Sequence, residues 1–362
     1  MKKYDFIETA QAKAPEIVEV KRNGTDYVLW GEDNLLPYEL FNLYTKSSIM
    51  TSIVSTIKDY CLGDEVVNNT GFDTVNRKGM DFDELLTKCF TDYALFGGFA
   101  IQIIRTKGLD KIAELNWVDM RKIRTNKDED TVWVNDWDSR RKKQPVKLPR
   151  YISGAKQPNS VFYYKGLDTR GVYPMPSYIG GLTSIQTSSE ISNYNLKNVL
   201  NNFTPSAVIN FNNGMNLSED EIDELEQKVY DKFSGTSNAG KILLSFNDNQ
   251  ESATTIERLA DDGLENKYLN LENSVMRDIY CAFRCNPILT GVNKENTGFS
   301  AQEYSEAQKL FNRTVIQPMQ KVLINSFEKL FGKGCLEIKP FNINFDIAAN
   351  TTAENNDTNT IE

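Results

Sequence analysis

The chain of 362 residues contains no histidine. That absence removes the commonest general base and the commonest metal ligand. Cysteine is scarce: five residues, at 61, 89, 281, 285 and 335, scattered and odd in number. This excludes a disulfide framework and fits a reducing compartment. Cys281 and Cys285 lie one helical turn apart, but two thiolates without further ligands make a poor zinc site. A buried helix face is the expected role for both. The longest apolar run, Tyr93 to Ile104, falls short of the roughly 20 residues that cross a bilayer. The opening Met1-Lys2-Lys3-Tyr4-Asp5 leads into polar sequence, so no signal peptide is expected. Positive charge is also in deficit, with 41 Lys and Arg against 50 Asp and Glu, a net −9. A protein that grips DNA phosphates usually presents a basic face, so tight DNA binding is disfavoured. A surface along which DNA slides is not disfavoured. Neither a metal nor a cofactor is expected.

What is present describes a folded, soluble protein: 40% hydrophobic and 25% charged residues. The length suits one large domain or two ordinary ones. Residues 1 to 16 are polar and expected to be loose. Ile17 to Trp30 predicts a hairpin with Asn23-Gly24 as its two-residue turn. Pro37 sits at the start of a helix. Ser48 to Leu62 predicts an amphipathic helix with Ile49, Ile53, Ile57 and Tyr60 on one side and Gly63 as its stop. Asp81 and Glu84 form a capping-box-like start for a helix that buries Leu85, Leu86, Cys89, Phe90, Tyr93 and Phe96. Gly97-Gly98 then turns into a strand from Phe99 to Arg105. Further strands are predicted at Ile112 to Val118, Val132 to Trp137 and Val161 to Tyr164. Arg140 to Lys143, with Lys147 and Arg150, is the one basic cluster. It could meet nucleic acid, or an acidic neighbouring subunit, or only water.

The stretch Tyr173 to Phe246 organises the chain. A Pro/Gly-rich turn, Tyr173 to Gly181, opens a helix from Leu182 to Phe203 in which Glu190 and Lys197 are the only charges. Such a polar helix gains little from propensity and needs neighbours. Pro205 ends it. Ala207 to Phe211 alternates as a strand, and Ser218 to Glu221 is a capping box opening a helix to about Phe233. Gly235 to Gly240 leads into a second strand, Lys241 to Phe246. Gly235 to Lys241 matches a phosphate-binding P-loop except at its last position, where Ile242 replaces the Ser or Thr that holds magnesium. The loop also leaves a helix and enters a strand, the reverse of the order that aims helix-end amides at phosphates. A glycine-rich turn is the better reading.

Downstream, Leu264 to Phe283 carries an apolar stripe of Leu264, Tyr268, Leu271, Val275, Ile279 and Phe283. Cys285 to Gly291 breaks it around Pro287. Asn293 to Phe299 is a polar loop. Ser300 and Glu303 cap a third helix that reaches about Leu330 and bends at Pro318. A strand is expected at Cys335 to Phe341, and the tail from Asn350 is acidic, Asn/Thr-rich and expected to be disordered.

The order and spacing of Gly180-Gly181-Leu182, the polar helix ending at Asn202-Phe203, Leu217-Ser218-Glu219, Gly235 and Asn238-Ala239-Gly240-Lys241 resemble the phage portal protein family, over about residues 30 to 330. The resemblance implies an α+β portal-like fold: an N-terminal wing over 1–179, a first stem helix over 180–203, a clip over 204–262 and a second stem helix over 263–286. A tunnel loop over 287–299, a C-terminal helix and wing strand over 300–345 and an acidic tail over 346–362 complete it, with no room for a large crown. It implies a non-enzymatic ring homo-oligomer, dodecameric in the family, at one capsid vertex of the virion and assembled in the host cytoplasm. Its partners would be the terminase large subunit, the major capsid protein, the head–tail connector and double-stranded DNA passing through the channel. Asn293, Lys294, Glu295, Asn296, Thr297 and Gly298 would be the loop facing that DNA. Glu219, Asp220, Asp223, Glu224, Asn238 and Lys241 would belong to the docking rim. The helix Glu219 to Asp231, with seven acids, reads equally as a solvated face. Two other classes stay open: a capsid or scaffolding protein without a channel, and a P-loop nucleotide-binding protein.

Overall fold

Pro37 and Ser47 set the first two helices. In the computed structural model, which describes residues 18–21, 24–139, 143–166, 171–200, 207–211, 242–246, 264–292 and 300–341, strands β1 (Glu19–Val20) and β2 (Leu29–Trp30) precede helix α1 (Leu36–Lys46). Pro37 stands in the first turn of α1, where a missing N–H costs nothing. Helix α2 (Ser48–Leu62) is capped by Ser47, whose hydroxyl accepts from the Met50 amide, and stops at Gly63, with φ 67°. Its buried face is Met50, Ile53, Val54, Ile57, Tyr60 and Cys61, and Ile49 is only half-buried. The β1–β2 pairing corrects the expected hairpin. The antiparallel hairpin is present, but Glu19 stands opposite Trp30 and Val20 opposite Leu29, a register centred one residue beyond Asn23-Gly24, and Asn23 itself lies outside the described residues. The reason is tertiary: the Glu19 carboxylate accepts from the Val172 and Tyr173 amides, and the Trp30 ring stacks 4.5 Å from that of Tyr173.

The core is built around α3 (Phe82–Phe96), which follows β3 (Glu65–Asn68). Asp81 caps α3 by accepting from the Glu84 amide, as its sequence position predicts. Leu85, Leu86, Cys89 and Phe90 are fully buried, each large side chain contributing about 1.5–3 kcal/mol. Gly97, in the left-handed region at φ 76°, turns α3 into β4 (Gly98–Arg105). No side chain fits there, because a Cβ on Gly97 would lie 2.3 Å from the Met175 carbonyl oxygen. Strand β4 is central, flanked antiparallel by β5 (Ile112–Trp117) and β9 (Asn159–Lys165). It buries Phe99, Ala100, Ile101 and Ile103, residues of both its faces. A second three-stranded sheet joins β6 (Ile123–Thr125), β7 (Thr131–Val134) and β8 (Val146–Pro149).

Helix α4 (Leu182–Leu200) and helix α5 (Leu264–Phe283) bracket β10 (Ala207–Phe211) and β11 (Ile242–Phe246) in the sequence. The two strands pair in parallel, Ala207 with Ile242 through Phe211 with Phe246. Parallel neighbours require a crossover between them. Along α5, Val275, Ile279 and Phe283 are buried, but Leu271 is 44% exposed, which corrects the expected stripe. Cys281 is likewise exposed while Cys285 is buried beyond the end of α5, so the two do not share a buried helix face.

The expected third helix is two helices. Helix α6 (Ala301–Phe311) and helix α7 (Gln317–Phe331) are separated by a π turn, Asn312–Ile316. Pro318, in the first turn of α7, can donate no amide hydrogen, and its ring opposes the carbonyl four residues back, so the register adjusts just before it. Phe327 of α7 meets Phe82 edge-on at 5.2 Å. Strand β12 (Leu336–Lys339) closes on β3 antiparallel, with Lys339 paired to Glu65.

The chain divides into two units, residues 1–186 with 276–362, and residues 187–275. The divisions fall within the spans of α4 and α5.

Candidate functional site

The channel-loop candidates Asn293 to Gly298 and the rim candidates Glu219, Asp220, Asp223, Glu224, Asn238 and Lys241 lie outside the described residues, as do Arg140 to Lys142. The described structure gives the anchors on either side of that loop.

On its N-terminal side, Arg284 leaves α5 with φ 53°, and Asn286 caps a short 3-10 turn, Pro287–Thr290, by accepting from the Ile288 amide. Tyr280 and Thr290 share a hydroxyl–hydroxyl hydrogen bond of 2.5 Å, and Ile288 and Leu289 are buried. Burial pushes the Cys285 thiol up to about 12, which makes it inert. Gly291 takes φ 82°, and the Val292 amide donates to the Pro287 carbonyl. On the C-terminal side, Ser300 caps α6 by accepting from the Glu303 amide at 3.3 Å. One turn on, Tyr304 shares a 2.8 Å hydroxyl hydrogen bond with Tyr60 of α2. Gln308 donates to the Phe341 carbonyl, and Gln320 donates to the Cys61 carbonyl. The described residues that flank positions 293–299 are therefore pinned on both sides.

A second anchor lies where α4 begins. A 3-10 turn, Ile179–Gly181, feeds directly into Leu182. Tyr178, fully buried, stacks on Phe283 at 4.6 Å and donates from its hydroxyl to the Leu95 carbonyl at 2.6 Å. Gly181 lies so close to α5 that a Cβ there would be 2.6 Å from Ala282 Cβ.

The basic cluster is partly consumed by structure. Arg150 and Lys165 both pair with Glu129, at 2.8 and 2.7 Å, and the Lys147 ammonium lies 5.3 Å from the Trp133 ring centre. Two buried ionisable groups carry no such sequence signal. Asp92 of α3 accepts from the Trp117 indole at 2.8 Å, and burial, with Asp119 nearby, holds its carboxyl well above the usual carboxylate range. Arg121 instead pairs with Asp119 at 2.6 Å. Arg124, fully buried, is held by carbonyls and rings rather than by a carboxylate. It donates to Asn34 and to the Arg121 carbonyl, and lies 5.1 Å from the Trp137 ring centre. Burial lowers its pKa to about 10. Among the described residues, no group of three or more Cys, Asp or Glu is placed to hold a metal ion.

The phage portal protein family model matches residues 64–358, most of the chain. The chain belongs to the phage portal protein family. Among its relatives, the probable portal protein of Haemophilus phage HP1 is 22% identical over 158 residues, which are 44% of this chain and 45% of that protein. The chain spans less than half the length of the curated relatives it matches. Solved structures carry the same fold. A chain from the neck of a native gene transfer agent particle, computed with C12 symmetry, superposes with a TM-score of 0.54 at 15% identity, covering 84% of each chain. An HK97-family phage portal protein from Corynebacterium diphtheriae gives a TM-score of 0.50 at 12% identity, covering 83% of this chain and 93% of that one. At these identities the likeness establishes the α+β fold.

Proposed function

We propose that this protein forms the ring-shaped DNA channel at one capsid vertex of a phage-like particle. The observation that carries the proposal is the family match across residues 64–358, and the fold shared with portal and neck chains supports it. In this reading α4 and α5 are the stem helices and the segment between them is the clip. The terminase large subunit and later the head–tail connector dock on that clip through a rim containing Glu219, Asp220, Asp223, Glu224, Asn238 and Lys241. The major capsid protein surrounds the wing, and residues 293–298 face the passing double-stranded DNA. Lys294 and Glu295 leave that loop locally neutral, so it touches DNA without the counterion-release affinity that each neutralised phosphate adds. The ring is a homo-oligomer, dodecameric by analogy with a neck computed with C12 symmetry. It assembles in the host cytoplasm, ends in the virion and carries out no covalent chemistry.

Negative-stain images of the purified protein test this directly, with rings around a central hole as the expected outcome. A monomer at every protein concentration and salt, in sedimentation as well as in images, would refute it. So would ATP hydrolysis that Lys241→Ala abolishes, because that would restore the P-loop reading. Deleting Asn293 to Thr297 is expected to leave rings intact while DNA packaging or retention falls.

A further inference from the structure

A cleft of about 430 Å³ opens beside β9, lined by Arg150, Tyr151, Ser153, Tyr164, Lys165 and Lys329, with Phe162 and Tyr163 behind them. Its position follows from the sheet order. Strand β9 is an edge strand, with β4 on one side only. The chain leaving β8 covers the other side as far as Val161, where the Tyr151 amide donates to the Val161 carbonyl, and then turns away through Ser153 and Gly154. By the period of two, Tyr163 and Lys165 point their backbone groups the same way as Val161. The Tyr163 carbonyl is taken by Arg150. The cleft thus borders a short length of the β9 edge.

Its charge runs against that of the whole chain. Three cations line it in a protein of net −9. Glu129 engages Arg150 and Lys165, but the exposed Lys329 has no ion-pair partner among the described residues. The rings decide between ligand classes. Tyr164 and Phe162 pack on Phe99 at 5.3 and 6.2 Å, and the Arg150 guanidinium sits 5.4 Å from the Tyr163 ring centre. Those faces are occupied, and Tyr151 is tilted on Phe162 at 6.0 Å with its hydroxyl tied to the Lys329 carbonyl, so the rings make a poor platform for stacking nucleobases, which single-stranded nucleic acid binding requires. A strand with a sheet neighbour on one side only, beside ammonium and hydroxyl donors, instead suits an extended backbone bearing carboxylates.

We propose that this cleft docks an extended acidic peptide segment of a partner protein, laid along the edge of β9 with its carboxylates toward Lys329, Lys165 and Ser153. Neither Lys329 nor Ser153 is a core residue, so substitution there should leave the fold intact.

Fluorescence anisotropy of the full chain with a labelled peptide alternating Glu and Val tests it. The expected result is saturable binding that weakens roughly tenfold in Lys329→Glu and in Ser153→Asp, and weakens with added salt. Thermal unfolding and ring formation should be unchanged in both variants. The proposal is overturned if the peptide fails to bind, if one alternating Lys and Val binds equally well, or if both variants bind like the parent. Tighter binding by a single-stranded oligonucleotide of equal length would also overturn it, in favour of a nucleic-acid site.

Discussion

Gly181→Ala is expected to be costly, although the change adds one methyl group to a turn whose backbone angles alanine can adopt. The new Cβ would sit 2.6 Å from Ala282 Cβ, where carbon atoms pack at about 3.5–4.0 Å. The turn and α5 would have to separate by roughly 1 Å. They have little freedom to do so, because Tyr178 is stacked on Phe283 and hydrogen-bonded to Leu95 beside the same crossing. Overpacking of this kind costs about 1–3 kcal/mol. Two companion variants isolate the cause. Gly180→Ala meets nothing within 4 Å, so it should fall within about 0.5 kcal/mol of the parent. Ala282→Gly alone should cost about 0.5–1 kcal/mol as a glycine in a helix. In the double variant Gly181→Ala with Ala282→Gly the clash is gone. Its cost should therefore match that of Ala282→Gly alone, giving a coupling equal in size to the Gly181→Ala cost, about 1–3 kcal/mol. Urea unfolding midpoints at one protein concentration read all four chains. The reasoning fails if Gly181→Ala is as stable as Gly180→Ala, or if its cost adds to that of Ala282→Gly without relief.

Ser300→Ala should destabilise the chain by about 1 kcal/mol through loss of the α6 cap, measurable as a lower urea midpoint, whereas Ser300→Asp should hold it. Asp92 makes stability depend on pH. Its folded-state pKa is raised, so the folded chain keeps a proton that the unfolded chain gives up. Stability should fall as pH rises past the ordinary aspartate value near 4 and go on falling up to the folded-state pKa. Asp92→Asn should lack that slope, and superimposable pH profiles for the two chains would rule the explanation out. In the native monomer a thiol reagent should modify Cys281 rapidly. Cys61, Cys89 and Cys285, which are buried and whose thiols burial pushes up, should react only on unfolding.

The elements legible in the sequence are those whose ends carry their own chemistry. Helix α2 stops at Gly63 and α3 starts at Asp81 because a left-handed glycine and an accepting carboxylate act within one turn of the chain. Strands β10 and β11 stood out as short apolar runs between turn residues. Strands β3, β6 and β8 are too short to show a period, and exist because a partner strand lies beside them. The β1–β2 hairpin shows the opposite failure. Asn23-Gly24 is a strong local turn signal, but the register is set by Glu19 reaching the amides of Val172 and Tyr173, more than 150 residues away. Leu271 fits an apolar stripe by spacing and is nonetheless exposed. Periodicity reports a helix face, and only the neighbours decide whether that face is covered.

The buried charges mark the limit of such reading most sharply. A lone Asp in a helix or Arg in a strand reads as solvent-facing, since burying an ion without partners is prohibitive. Asp92 and Arg124 are buried because the partners arrive from elsewhere: the Trp117 indole for one, Asn34 and Trp137 for the other. Nothing near either residue in the sequence announces those partners. Yet each partner is of the type the group requires: N–H donors from Trp117 and the Met120 backbone for the Asp92 carboxyl, and carbonyl acceptors for the guanidinium. Such positions should therefore be sensitive to isosteric change in a way their local sequence does not suggest. Arg124→Lys keeps the charge but cannot reach Asn34, Arg121 and Ile123 together through one ammonium, so it should destabilise the chain nearly as much as Arg124→Met. Urea midpoints of the two variants compare them. If lysine fully replaced arginine, charge alone would explain the site and the hydrogen-bonding geometry would not.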